Sequence, residues 1–318
     1  MVGQQIVGSL TPELSMPHVA RCLVIALGAI GCAKPGPVLP ADFGREWQPF
    51  RWADAIVGTQ SISRAAIIVE PTDPTLRGNS STPVRLQLDF GFSSTGAFGL
   101  PLRLLDTTGA TTAPTSRILA GRISHLGNRD DSTGTGLTFR VGTVGLLYYG
   151  VKGLLIDQAT QRIGTQGPGQ KLPPALESRI QWSEATEDVG RLSLPLSIGR
   201  TSVGRVWFDP GSSLVGVLLM GDVWRSVTGR HGDEPGLERR VFPLAGDSLV
   251  LAGARPRPGL GLGAIPIEET VYLVVHGPAE SYPERFGGGI VGVVGSQLFS
   301  RHRLVYVNTR AKRFGVLR

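Results

Sequence analysis

Two stretches of this chain carry the same pattern around an aspartate, and a chain made of two like halves has few ways to fold. VRLQLDFGFSSTG spans Val84–Gly96 and GRVWFDPGSSLVG spans Gly204–Gly216. Around Asp89 stand Arg85 four residues before, Gly91 two after, Ser93 four after and Gly96 seven after; Arg205, Gly211, Ser213 and Gly216 repeat those offsets around Asp209. Both copies reach the Asp through alternating or continuous apolar residues, the mark of a strand entering a core. A carboxylate at the end of such a strand is costly without partners, so its recurrence asks for a chemical reason.

A second pair follows downstream. VGTVGLLYYGVKGLLIDQATQRIGT covers Val141–Thr165, and VGVVGSQLFSRHRLVYVNTRAKRFGVL covers Val291–Leu317. Each opens on Gly-bounded apolar pairs, passes an aromatic-bearing turn to a β-rich run (Leu154–Asp157, Leu304–Asn308), and closes on Arg-apolar-Gly, Arg162–Gly164 and Arg313–Gly315. Gly145 to Gly164 is 19 residues and Gly295 to Gly315 is 20, so one gap aligns them. The order of parts is the same twice: strand, Asp-x-Gly, variable middle, apolar-Gly strand, closing hairpin.

Composition agrees with a β-rich chain. Among 318 residues are 44 Gly and 23 Pro, which suit short strands joined by turns better than long helices. The net charge is +7, yet the basic residues are scattered apart from Arg301, Arg303, Arg310, Lys312 and Arg313. No basic block interleaves with aromatics, and no nucleic-acid partner is expected. The five histidines show no ligand spacing, and both cysteines, Cys22 and Cys32, precede the folded part. No metal, cofactor or Cys nucleophile is therefore expected. No Gly-x-Ser-x-Gly elbow or phosphate-binding loop occurs. Glu268-Glu269 and Asp130-Asp131 read as solvated turns.

Residues 16–32, MPHVARCLVIALGAIGC, read as an address. Arg21 supplies a positive region, Cys22–Ile30 is too short to span a bilayer, and Ala29-Ile30-Gly31 precedes Cys32. This resembles a bacterial lipoprotein signal, although Ala29 stands where the pattern prefers Leu; the alternative is a plain secretory signal cut nearby. The resemblance implies removal of residues 1–31, lipidation of Cys32, and a domain held at a membrane surface in the cell envelope. Residues 32–49 read as a tether, 50–172 as a first lobe and 173–318 as a second.

The repeat around Asp89 and Asp209 resembles the bilobal aspartic proteases, the pepsin and retropepsin-like group. Phe208-Asp209-Pro210-Gly211-Ser212-Ser213 is similar to that family's second-lobe turn and Leu88-Asp89-Phe90-Gly91 to its first. Val144-Gly145 and Val294-Gly295 are similar to the strands crossing behind those turns. The resemblance covers residues 50–318 and implies an all-β, two-lobed pepsin-like double β-barrel with short helices. It implies a catalytic dyad of Asp89 and Asp209, supported by Gly91, Ser93, Gly211, Ser212, Gly145 and Gly295, acting on a peptide or protein substrate. Repulsion between two close carboxylates leaves one ionised to activate water and one protonated to polarise the scissile carbonyl. Two positions depart. Where the family has a Thr or Ser after each Asp, bracing the dyad across the lobes, this chain has Phe90 and Pro210, whose side chains cannot hydrogen-bond. Ser212 keeps a hydroxyl three after Asp209; Phe92 loses it after Asp89. Two readings follow: an active endopeptidase, or a catalytically inactive lipoprotein of the same fold that binds a peptide or protein partner.

In the lobe middles, Leu100–Gly109 suits a short helix, and Thr115–His125 and Leu137–Gly142 suit strands. His125–Gly136 between them is a candidate flap or an ordinary surface hairpin. Val217–Val227 has helical apolar spacing, and Ala254–Pro266 reads as a loop.

Overall fold

The structure is a computed structural model, and it describes residues 39–40, 42–57, 60–69, 84–88, 90, 123–130, 138–146, 153–167, 169–188, 191–212, 214–244, 247–277 and 288–318. The first half holds β1 (Arg45–Val57), β2 (Gln60–Val69), β3 (Val84–Leu88), β4 (Ile123–Asp130), β5 (Thr138–Val144), β6 (Leu154–Asp157) and β7 (Arg162–Thr165). After helix α1 (Pro174–Glu177) come β8 (Gln181–Glu184), β9 (Thr186–Asp188), β10 (Arg191–Ile198), β11 (Thr201–Asp209) and β12 (Val217–Leu219). Helix α2 (Gly221–Thr228) leads to β13 (Glu238–Leu244), β14 (Asp247–Ala254), β15 (Leu260–Leu262), β16 (Ile265–Pro266), β17 (Val271–His276) and β18 (Ile290–Gly295). Helix α3 (Ser296–Phe299), β19 (Leu304–Asn308) and β20 (Arg313–Leu317) end the chain. The protein is all-β in class.

The closing hairpins meet edge to edge. β6 pairs antiparallel with β19 so that Leu155 faces Tyr306, flanked by Leu154↔Val307 and Ile156↔Val305. Outward from this pair the order is β1-β7-β6-β19-β20-β8. Both runs are buried on both faces, which is why LLID and LVYV lack polar alternation. Each hairpin turns through a non-glycine residue with positive φ, Gln161 at 51° and Lys312 at 52°.

The Arg-apolar-Gly endings have a shared physical reason. The Arg162 guanidinium lies 4.9 Å from the Trp47 ring and that of Arg313 3.6 Å from Trp182. A Cβ on Gly164 or Gly315 would stand 2.7 Å from the same indoles, so glycine admits the ring and arginine covers it. Both indole N–H groups donate to upstream carbonyls, of Phe43 (3.2 Å) and Glu177 (3.3 Å).

The aspartate strands repeat as well. β3 runs parallel to β5 with Leu88 opposite Val144, and β11 runs parallel to β18 with Phe208 opposite Val294. β10 has the period-2 burial of a half-buried strand, with Leu192, Leu194 and Leu196 inward. The main core draws on both halves: Phe50, Leu88, Phe90 and Leu146 share it with Phe208, Leu298, Phe299 and Phe314.

Several details differ from the sequence reading. The strands form two open ten-stranded sheets among the described residues, not closed barrels, because the strands at their ends find no partner to complete a ring. Val217–Val227 is not one helix: Val217–Leu219 is recruited as β12 by pairing with β18, and the helix starts at Gly221. Ala254–Pro266 contains a small hairpin, β15–β16. His125–Asp130 belongs to strand β4, and β4 and β5 form an antiparallel hairpin whose tip, with residues 100–109, lies outside the described residues. β1 begins at Arg45, within the stretch read as tether.

Candidate functional site

Asp209 is the last residue of β11. Val206 and Phe208 point into the core while Trp207 faces the other way, its ring 4.5 Å from the Arg191 guanidinium. Pro210, buried and without an N–H, ends the ladder. The turn closes on the aspartate. The Gly211 N–H donates to Asp209 Oδ1 at 2.9 Å, and the Ser212 N–H donates to the Asp209 carbonyl oxygen at 3.0 Å. The carboxylate is half-buried and oriented by the backbone N–H of Gly211.

Gly295 faces Asp209 across the parallel ladder and donates its N–H to the Gly216 carbonyl at 2.9 Å. A side chain there would collide with the Ser212 carbonyl oxygen and stand 2.9 Å from that of Val215. Glycine is thus required for the turn to fold back over the strand. In the first half Gly145 is buried directly after the Leu88↔Val144 pair. Asp89, Gly91 and Ser93 lie outside the described residues, as does Cys32.

Phe90 is fully buried, and its ring meets Phe208 edge-on at 5.5 Å. Phe208 also packs against Phe299 at 5.1 Å and Phe314 at 5.0 Å. Phe90 therefore joins an aromatic cluster that spans both halves.

A second feature lies away from Asp209. A cavity of about 740 Å³ opens between the β1–β2 hairpin and the second half, bordered by Arg64, Glu238, Arg240, Tyr272 and Arg301. Arg64 donates to the Ser300 carbonyl and tethers the hairpin to the end of α3. Glu238 Oε1 accepts from the Tyr272 hydroxyl at 2.6 Å and from Arg240 Nε at 2.9 Å. Burial works to raise the Glu238 pKa, but these bonds and the Arg240 charge outweigh it and hold the carboxyl below its usual range. Burial and the bond to Glu238 push the Tyr272 hydroxyl well above its usual value, so it stays a donor. The Arg240 guanidinium also lies over the Tyr272 ring at 4.7 Å. Sequence reading missed this network because its members are 32 to 34 residues apart on β13 and β17; the Glu-Arg-Arg run at 238–240 was its one local signal.

Among the described residues no group of three or more His, Cys, Asp or Glu could hold a metal ion, and no helix is long and apolar enough to cross a membrane. A scan against protein-family models finds no match to this chain, and a search of curated proteins finds none either.

Proposed function

We infer that this chain is an aspartic-type endopeptidase of two-lobed, pepsin-like design, with Asp89 and Asp209 as its dyad. One observation carries the reading. Leu88 pairs with Val144 as Phe208 pairs with Val294; Asp209 then pairs with Gly295, and in sequence Asp89 follows Leu88 as Gly145 follows Val144. In this reaction an ionised carboxylate takes a proton from water as its oxygen adds to the scissile carbonyl. The other carboxyl donates a hydrogen bond to the carbonyl oxygen. Collapse of the tetrahedral intermediate breaks the C–N bond, and the departing amine takes up a proton. The Gly211 N–H supports this by holding one Asp209 oxygen.

A second reading has its own observation. Phe90 and Pro210 are buried where a hydroxyl brace would stand, which favours a fold kept for binding a peptide or protein partner without hydrolysis. A pool of random peptides incubated with the purified chain across pH 3–8 separates the two. Cleavage lost in both Asp89→Asn and Asp209→Asn supports the peptidase. A folded chain that cleaves nothing at any pH sinks it and leaves the binder. Export with lipidation at Cys32 belongs to the same proposal, resting on residues 16–32. Cys32→Ser is expected to abolish fatty-acid labelling and release the protein from membranes; unchanged labelling would reject it.

A further inference from the structure

We propose that the cavity beside the β1–β2 hairpin continues into a second one and forms an elongated groove for an extended acidic peptide, separate from Asp209. The second cavity, about 440 Å³, shares Arg255 and Glu268 with the first. The pair form a track, a shape that fits an extended chain better than a compact ligand. Asp209 borders neither cavity.

The two ends differ in chemistry. The first is walled by arginines 64, 240, 255 and 301. Two of its glutamates face groups of the protein: Glu238 Oε1 accepts from Tyr272 and Arg240, and Glu268 has Arg318 at 3.8 Å. Glu269 spends one oxygen on the Glu268 N–H at 3.2 Å. Arg255 and Arg301 are exposed, and neither has a partner among the described residues. A bordering wall thus offers two uncommitted guanidinium groups whose planar forks match carboxylates. The second end is lined by Pro256, Pro258, Pro266 and Ile267 together with Arg257, a mixed surface that seats uncharged side chains along the same strand beside a further cation. The chain's net charge of +7 adds long-range attraction for an acidic partner. Peptide as the ligand class leans on the proposed peptidase or binder; the groove itself does not depend on the dyad.

The test is fluorescence anisotropy on the full chain with a labelled peptide that alternates Glu with Pro and Val. The comparison probes are the same peptide with Gln for Glu and a single-stranded oligonucleotide of equal length. The expected result is binding of the Glu peptide, at least about ten-fold weaker for the Gln peptide and weakened by salt near 1 M, where the Debye length falls to about 3 Å. Arg255→Glu with Arg301→Glu is expected to reduce binding by a similar factor. Should the double variant fail to fold by circular dichroism, Arg255→Gln alone takes its place, with a smaller loss. Equal binding of the Gln peptide, equal binding of the oligonucleotide, or binding unchanged in the folded arginine variants would each overturn the proposal. Asp209→Asn is expected to keep the affinity while losing cleavage, so failure of the groove and failure of the peptidase reading give different results.

Discussion

Gly295 and His302 stand seven residues apart, one at the aspartate turn and the other behind α3, and each makes a separate prediction. Gly295→Ala must push the Ser212 carbonyl away from the strand, and backbone cannot yield as a flexible side chain can. Overpacking of this kind costs typically about 1–3 kcal/mol; a loss at the upper end is expected in urea unfolding, with Asp209 displaced. His302 is buried between α3 and β19 against Phe299, and among the described residues neither ring nitrogen has a hydrogen-bonding partner. Burial and the Arg318 charge lower its pKa below 6.5, while the Phe299 carbonyl and Glu269 favour the charged form too weakly to offset them. A group whose pKa falls on folding contributes stability above its unfolded value and loses it as pH drops through the folded one. Thermal stability is therefore expected to decline as pH falls below about 6.5, and His302→Phe is expected to flatten that decline. A variant with the same acid dependence as the wild type would refute the assignment to His302. Gly295 was legible in sequence as part of an apolar-Gly repeat. The isolation of His302 was not, since a lone histidine has no local pattern.

At the scale of elements, the parts legible in sequence were those whose pattern is local. The strands ending at Leu88 and Asp209, the two closing hairpins and their matching order all follow from short apolar runs and turn residues. What sequence hid was whatever depends on a distant partner. Val217–Leu219 satisfies a helical spacing, but β18 and β17 on either side supply ladder bonds that a helix there would forfeit. Trp47 and Trp182 attracted no notice because each meets its arginine only after β1 joins β7 and β8 joins β20. That pairing makes a measurable contrast. Arg313 lies closer to its indole than Arg162 and also reaches Glu177 Oε1 at 2.8 Å. A double-mutant cycle of Arg313→Ala with Trp182→Leu is expected to give a coupling of about 0.5–1 kcal/mol, as for partly exposed cation–π pairs. The Arg162–Trp47 cycle should give less. Equal couplings would mean that distance to the ring does not set the interaction.

For the whole molecule, the repeat predicts separable halves, and the packing argues against it. The sheet order β1-β7-β6-β19-β20-β8 joins the two closing hairpins edge to edge through β6 and β19, and Phe208 of the second half touches Phe90 of the first. A half expressed alone, residues 50–172, would leave one edge of β6 unpaired and expose Leu88, Phe90 and Leu146, which are now buried with second-half residues. It is expected to be unfolded or self-associated. In the full chain, Phe208→Ala removes a ring at the junction of four aromatics, a deletion that costs about 3–5 kcal/mol in a well-packed core. Because that ring serves both halves, the loss should shift one cooperative transition rather than split it. Far-ultraviolet circular dichroism and intrinsic tryptophan fluorescence report different properties, strand pairing against the surroundings of the indoles, Trp224 in α2 and Trp47 on β1 among them. Coincident curves in wild type and variant are expected. Two separated transitions would show that the halves fold independently and that the aromatic junction joins them only after each has formed its own core.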